Sequence, residues 1–159
     1  MRSAPAVHRE KIARLGDVLD FMRLLWAVDH GLQSTSKRME ATMGVTGPQR
    51  LVIRIVGRCP GVSAGQLAET LQLHPSTLTG ILKRLSDRGI VERRHDPNDG
   101  RRALFDLTAR GREIDALRVG TVEATVRQTL KALPRRKLEA AQEVLGALAE
   151  ALRQAPGEE

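Results

Sequence analysis

The chain has 159 residues, the usual size of one domain and enough to bury a hydrophobic core. Its 26 Lys and Arg outnumber 19 Asp and Glu for a formal charge of +7, which favours a polyanionic partner such as nucleic acid or an anionic membrane. Two Phe, one Trp and no Tyr argue against RNA and single-strand binders that stack bases on aromatic rings, and the single cysteine excludes an intrachain disulfide.

A flexible tail (residues 1–9) is expected at the N-terminus, followed by a long helix. Apolar residues recur every three or four positions over residues 10–42, the pattern of an amphipathic helix, and the pattern weakens near Gly31, where we expect a bend. Such a helix would be about 50 Å long at 1.5 Å per residue, too long for a small domain to cover its apolar stripe. We therefore expect a second copy of the chain to cover it. The stripe begins with Ile12, Leu15 and Leu19.

Two short helices are predicted next from the same capping signal. Thr46 is followed by Gln49, and Ser63 by Gln66, as in a capping box, in which the two side chains bond each other's backbone N–H groups. A Cys-Pro-Gly turn that begins at Cys59 ends the first of these helices.

A further helix is predicted from Pro75, a residue suited to the first helical position, to Gly89, a suitable left-handed stop. Its apolar residues lie at i, i+3, i+4 and i+7 and so share the buried side: Leu78, Ile81, Leu82 and Leu85. The opposite side carries hydroxyls and cations: Ser76, Thr79, Lys83 and Arg84. Such a side suits a helix that lies in the major groove of DNA, where these groups reach base edges and phosphates.

The C-terminal half begins with a predicted β-hairpin, since two apolar-alternating runs (90–94 and 101–107) flank a turn-forming segment (95–100). We expect Thr108 to cap one long helix that extends to about residue 130. After Pro134, a final helix carries apolar residues at a strict heptad spacing, which is typical of a helix–helix interface. These residues are Leu138, Ala141, Leu145, Leu148 and Leu152.

The predicted fold class is mainly α with a small β-hairpin wing, that is, a winged helix-turn-helix within a helical dimerisation frame. We expect residues 46–108 to form the winged helix-turn-helix DNA-binding domain. Residues 10–45 and 109–154 are then expected to form the helical dimerisation region.

The order of these elements and four motifs resemble the MarR (multiple antibiotic resistance regulator) family of transcriptional regulators. The motifs are Ser-Thr-Leu-Thr at 76–79, Leu-Ser-Asp-Arg-Gly-Ile-Val-Glu-Arg at 85–93, Asp-Pro-Asn-Asp-Gly-Arg-Arg at 96–102 and Leu-Thr-Ala-Arg-Gly at 107–111. The resemblance is densest over residues 63–111. It implies a homodimeric regulator, most often a repressor, that binds a pseudo-palindromic site in double-stranded DNA with half-sites about 10 bp apart.

The same resemblance assigns residues to the DNA interface. It places Ser76, Thr77, Thr79, Lys83 and Arg84 on the DNA-facing helix. Arg101 takes the position of the wing-tip arginine that enters the minor groove, and Asp99 resembles the acid that orients it across the hairpin. Further DNA contacts are expected from His74, Arg94 and Arg102. Gly80 lies where many relatives carry a larger polar or basic residue, and a glycine reads no base.

Each assignment has a simpler alternative. Lys83 has Asp87 four residues on as an ion-pair partner, His74 could cap its helix, and the arginines could serve solubility. For Cys59, a structural role is favoured over a redox sensor, because it follows the end of a predicted helix, whereas reactive cysteines are typical of helix N-termini.

Small, often aromatic, anionic effectors bind many members of the family, and the resemblance makes Arg23, Trp26 and His30 candidate lining residues. Ordinary core or surface positions remain the alternative for each. We expect no cofactor and no metal site, since the four His form no spaced cluster. No catalytic motif is present, so an enzyme is disfavoured.

Two other functions remain open: an architectural protein that binds duplex DNA with little sequence preference, and an adaptor whose winged helix binds another protein. The N-terminus lacks the apolar segment of a signal peptide, and no apolar run reaches the roughly 20 residues that span a bilayer. We therefore expect a cytoplasmic protein.

Overall fold

The computed structural model describes residues 15–155, and these form a mainly helical protein with one small antiparallel sheet, as predicted. In chain order the elements are α1 (Asp17–Met43), α2 (Gly47–Arg58), β1 (Val62–Ser63), α3 (Ala64–Leu71), α4 (Pro75–Asp87), β2 (Val91–His95), β3 (Ala103–Leu107), α5 (Ala109–Ala116), α6 (Val122–Lys131) and α7 (Arg135–Gln154). The chain forms two compact units, of which the first ends at Thr121 and the second begins at Val122. Ile12 and the expected tail lie outside the described residues.

Helix α1 runs from Asp17 to Met43 and remains helical through Gly31. A glycine inside a helix costs only about 1 kcal/mol relative to alanine, which the good helix-forming residues on both sides offset. The helix ends at Gly44, whose left-handed backbone (φ 72) lets its N–H bond the carbonyl of Glu40. None of the described helices is long and apolar enough to cross a membrane.

Both predicted capping boxes are present. The backbone N–H of Thr46 donates to Gln49 Oε1 at 3.0 Å, and the N–H of Gln49 donates back to Thr46 Oγ1 at 3.4 Å. Ser63 and Gln66 form the equivalent pair at 3.0 and 3.3 Å. Each box satisfies N–H groups that have no partner inside their helix, so the starts of α2 and α3 are fixed by local sequence.

The predicted hairpin is formed by β2 and β3, and its register pairs Arg93 with Phe105. A third strand, β1, was not predicted. It pairs with the other edge of β3, with Val62 opposite Phe105, so the strand order is β1-β3-β2. The sheet packs into one core with the apolar sides of α2, α3 and α4. The buried core residues include Val52, Ile53, Val56, Leu67, Leu78, Leu82, Leu85, Ile90, Val91, Phe105 and Leu107.

The prediction of one long helix over residues 108–130 is wrong, because the structure has two separate helices there. Thr108 does cap α5, accepting from the N–H of Gly111 at 3.0 Å, but α5 ends at Ala116. Residues 117–121 are not helical, Gly120 takes a left-handed conformation (φ 73), and Val119 is 85% exposed. Helix α6 then starts at Val122 in the second unit.

The second unit consists of α6 and α7, and α7 begins directly after Pro134, as predicted. No described residue of either helix is buried within the single chain. The heptad residues Leu145 and Leu152 remain 51% and 67% exposed. Helices of this length gain most of their stability from packing an apolar side against other residues. Within one chain, the apolar sides of α6 and α7 are not buried in this way.

Gly111→Ala should lower the free energy of unfolding by about 1–3 kcal/mol, the usual cost of overpacking. A Cβ at this position would overlap the carbonyl oxygen of Ile90, a backbone atom that cannot move aside easily. The matched control is Gly80→Ala, because a Cβ at Gly80 meets nothing within 4 Å. That variant should be as stable as the wild type or up to about 1 kcal/mol more stable. Denaturant unfolding followed by circular dichroism measures both, and equal stabilities of the two variants would contradict the prediction.

Candidate nucleic-acid interface

Helix α4 presents one apolar and one polar side. Leu78, Leu82 and Leu85 are buried in the core. The residues on the other side are exposed, and they comprise the hydroxyls, the glycine and the two cations that the sequence assigned to this side: Ser76, Thr77, Thr79, Gly80, Lys83 and Arg84. The structure therefore places these residues on one continuous exposed surface, which we call the α4 surface.

The first turn of α4 is organised by His74, its N-cap residue. Nδ1 of His74 accepts from the backbone N–H of Ser76 at 3.2 Å and lies 2.7 Å from Ser76 Oγ. Pro75 occupies the first helical position, where its missing N–H leaves no intrahelical bond unmade. His74 thus caps its helix, as in the simpler alternative given for this residue. Because Nδ1 is used in the cap, only Nε2 is left to bond a group outside this turn.

Two other residues of the α4 surface have partners within the helix. Thr79 Oγ1 donates to the carbonyl of Pro75 at 2.8 Å, so this hydroxyl already has a partner within the helix. Lys83 Nζ forms an ion pair with Asp87 Oδ2 at 2.7 Å. Both side chains of this pair are largely exposed, and such pairs contribute about 0.3–0.5 kcal/mol. A phosphate can therefore replace the carboxylate of Asp87 at little cost.

The wing loop (residues 96–102) is closed by backbone hydrogen bonds. Asp96 N–H donates to the carbonyl of Arg102 at 3.0 Å, and Arg102 N–H donates to the carbonyl of Asp99 at 2.9 Å. The carboxylate of Asp99 accepts from the backbone N–H of Arg101 at 3.0 Å. Asp99 therefore positions the main chain of Arg101, whereas a contact to its guanidinium across the hairpin was expected. The side chain of Arg101 is exposed at the tip of the wing.

The guanidinium groups of Arg94 and Arg102 contact protein acceptors. Arg94 Nε forms an ion pair with Asp106 Oδ2 on the neighbouring strand at 2.6 Å. Arg102 Nη2 donates at 3.2 Å to the hydroxyl of Ser63, the N-cap of α3. The bond between Arg102 and Ser63 connects the base of the wing to the helix-turn-helix. No sequence pattern indicates it, because the two residues are 39 positions apart in the chain.

The expected effector residues share one side of α1. Trp26 and His30 lie one turn apart and are exposed, Trp26 by 62%. Arg23, on the preceding turn, forms an ion pair with Asp20 at 3.6 Å. Cys59, at the C-cap of α2, is exposed and not bonded to another cysteine. Among residues 15–155, no group of His, Cys, Asp or Glu is arranged to hold a metal ion.

The comparisons with known proteins agree with this geometry. Residues 43–102 match the MarR family model. The chain is 37% identical over 82 residues to the transcriptional regulator HosA of Escherichia coli O111:H-, covering 52% of this chain and 61% of HosA. It is 31% identical over 91 residues to an HTH-type transcriptional repressor of Mycobacterium bovis, covering 57% of this chain and 66% of that protein. The chain thus spans less than two thirds of the length of these curated relatives.

A solved structure shares the fold. The crystal structure of S. aureus MepR in complex with DNA aligns with a TM-score of 0.68 at 17% identity, covering 83% of this chain and 97% of that one. At this identity the likeness concerns the fold alone.

Asp87→Asn should strengthen binding to duplex DNA, because it releases Lys83 and removes a negative charge from the α4 surface. Lys83→Ala should make the plot of log K against log salt concentration shallower by about 0.9, because one phosphate contact is lost. The control Glu139→Gln breaks the same kind of i,i+4 ion pair on α7 and should leave the slope unchanged. Fluorescence anisotropy of a labelled duplex at several salt concentrations measures the slope, and a Lys83→Ala slope equal to the wild-type slope would count against this role of Lys83.

Proposed function

We propose that the chain is a transcriptional regulator of the MarR type that binds double-stranded DNA as a homodimer and represses its target genes, because residues 43–102 match the MarR family model and the chain is similar to curated transcriptional regulators. The observation that carries this proposal is the α4 surface, an exposed row of hydroxyls and cations on a helix whose other side is fully engaged in the core. The closed wing loop with Arg101 at its tip supports the same function.

In this proposal, each protomer inserts α4 into a major groove, which is about 12 Å wide and admits one helix. Ser76, Thr77 and Thr79 contact base edges and phosphates near the start of the helix. Lys83 and Arg84 neutralise phosphates, and His74 Nε2 donates to the backbone of the same groove. Arg101 enters the adjacent minor groove, where the negative potential is strongest when the groove is narrow. Arg94 and Arg102 lie beside this path and can exchange their protein acceptors for phosphates.

The homodimer is proposed from the apolar surface that a single chain leaves uncovered. Helix α1 and the residues just before it expose Leu15 (39%) and Leu19 (52%), and α7 exposes Leu145 and Leu152. Leu138 and Leu148, half-buried on α7, continue the same seam. Exposed apolar patches of this kind are typical of protein interfaces. A two-fold dimer requires a pseudo-palindromic site with half-sites about 10 bp apart.

Release by an effector is a further part of the proposal. Arg23 offers a cation to a carboxylate, and Trp26 offers an aromatic surface for stacking, so a small aromatic anion fits their chemistry, with His30 as a third contact. Such a ligand would reduce DNA binding only if it binds one conformation of the dimer better than the other.

The test is a mobility-shift assay on the DNA upstream of the protein's own gene at several salt concentrations, with competitors. Regulation at a specific site predicts that random duplex and single-stranded DNA compete poorly. Equal competition by random duplex would favour the architectural alternative. Absence of any DNA footprint would favour the protein-binding adaptor.

Arg101→Ala should weaken binding to the specific duplex by about 1–3 kcal/mol, the usual loss for a groove contact. The wing loop should keep its shape, because its backbone bonds do not involve this side chain. Arg136→Ala, an equal change of charge at an exposed position of α7, serves as the control. Unchanged affinity of Arg101→Ala in the mobility-shift assay would remove the wing tip from the mechanism.

Replacing both Leu145 and Leu148 with Glu should dissociate the dimer, because two carboxylates per protomer would have to be buried in the apolar seam. Glu143→Lys changes charge on the same helix away from the heptad positions, and this control should remain a dimer. Sedimentation velocity gives the mass of each variant. A double variant that still sediments as the wild-type dimer would show that α7 does not form the interface.

A further inference from the structure

Arg50 is the largest fully buried side chain in the described part of the protein, at 1% exposure. It lies on α2, and its guanidinium reaches across to the last turn of α5. Nη1 donates to the carbonyl of Ile114, and Nη2 donates to the carbonyls of Leu117 at 2.6 Å and Asp115 at 3.4 Å.

The carbonyls at a helix C-terminus suit a buried cation. They have no N–H partner within the helix, and they carry the negative end of the helix dipole. The five N–H donors of one guanidinium can satisfy several of them at once, which a lysine cannot do with the same geometry. Arg50 therefore helps to cap α5 from a different helix, beside the backbone N–H of Leu117 and the side chain of Arg118, which contact the same carbonyls.

The next two turns of α2 contact the same segment, the last turn of α5, at Asp115. Arg54 Nη1 donates to the carboxylate of Asp115 at 2.7 Å and to its carbonyl at 3.2 Å. At Gly57, a Cβ would lie 2.9 Å from Asp115 Oδ2, so the absence of a side chain lets the two segments approach. Arg50, Arg54 and Gly57 are at i, i+4 and i+7, on one side of α2.

The contact between α2 and the end of α5 lies a few residues before the start of the second unit. Helix α2 belongs to the same core as α4, through the buried residues Val52, Ile53 and Val56. After α5 ends, only residues 117–121 separate it from the second unit, which begins at Val122. The side chains of Arg50 and Arg54 therefore fix the backbone close to where the chain leaves the unit that carries the α4 surface.

We propose that Arg50 is a positioning residue that fixes the direction in which the chain leaves the DNA-binding unit, and that it thereby sets the half-site spacing that the dimer accepts. The part about spacing rests on the proposed function. A purely stabilising arginine would instead affect all DNA sites equally. A positioning arginine changes the preference among sites, because a loosened exit lets the two α4 surfaces adapt to other separations.

The experiment compares Arg50→Met and Arg50→Lys with the control Arg58→Met, an exposed arginine two turns further along the same helix. Circular dichroism and sedimentation first establish that each variant is folded and dimeric. Should Arg50→Met not fold, Asp115→Asn, which weakens the Arg54 contact at a partly exposed position, replaces it.

The first measurement is hydrogen exchange of backbone amides over residues 112–121. In Arg50→Met, exchange there should be faster by about tenfold or more, as expected for the loss of hydrogen bonds to a charged group, while exchange in α4 stays unchanged. Wild-type exchange over residues 112–121 in a folded Arg50 variant would overturn the proposal. This measurement requires no DNA, so it stands even if the protein binds none.

The second measurement uses duplexes built from a site that the wild-type protein selects from a random library, with one or two base pairs inserted or deleted between the half-sites. Each inserted base pair rotates one half-site by about 35°. The wild type should discriminate against the altered duplexes, and Arg50→Met should reduce this discrimination by about fivefold or more, the low end of typical coupling between sites. Arg58→Met should discriminate as the wild type does.

The outcomes separate the two proposals. A wild type that selects no duplex, or that is monomeric, contradicts the proposed function. A wild type that discriminates, together with an Arg50→Met dimer that discriminates equally, contradicts the role of Arg50 in spacing.

Discussion

The burial of one side of α4 is the interaction on which the rest of the candidate interface depends. Leu78, Leu82 and Leu85 pack in one core with residues of α2, α3 and the sheet, and burial of each such side chain contributes about 1.5–3 kcal/mol. A helix advances about 100° per residue, so fixing the apolar side also fixes the outward side. Rotation of α4 by a single position would expose a leucine. The hydroxyls and cations are therefore held outward by the core, and no contact with DNA is needed to arrange them.

The cations on and beside α4 form ion pairs with carboxylates of the protein, and these pairs affect how the surface would bind a polyanion. Lys83 is paired with Asp87, and Arg94 with Asp106. The exposed pair of Lys83 and Asp87 contributes at most about 1 kcal/mol, so a phosphate can displace its carboxylate, whereas the backbone bonds of the wing loop remain. The surface thus has defined side-chain positions before binding, which reduces the entropy lost on docking. It also has less uncompensated charge to attract polyanions of the wrong shape.

Sequence reasoning located features whose cause is local and missed those whose cause is distant. The capping boxes at Thr46 and Ser63 were predictable because all partners lie within four residues. Strand β1 has two residues, too few for an alternating pattern, and it exists only because β3 offers an edge. Apolar spacing continued past residue 116, so one long helix was predicted. The end of α5 is instead held by Arg50, a residue 64 positions earlier in the chain. In the sequence, Arg50 is a charged residue next to an apolar run, and nothing there predicts that it is buried or that it bonds α5.

The composition of α4 limits what this helix can read directly. It contains no Asn or Gln, the side chains that bond adenine in two places, and Gly80 contributes no side chain at the centre of its exposed side. Ser and Thr bond several bases, so they discriminate weakly, although the methyl group of a threonine can contact a thymine methyl. In the proposed complex, specificity comes in part from DNA shape, through the wing-tip arginine, which favours narrow minor grooves. In the proposed dimer, a second source of specificity is the separation of the two half-sites, and a rigid exit from the DNA-binding unit would make one separation preferred over others. The buried guanidinium of Arg50 is placed where such rigidity would have to originate.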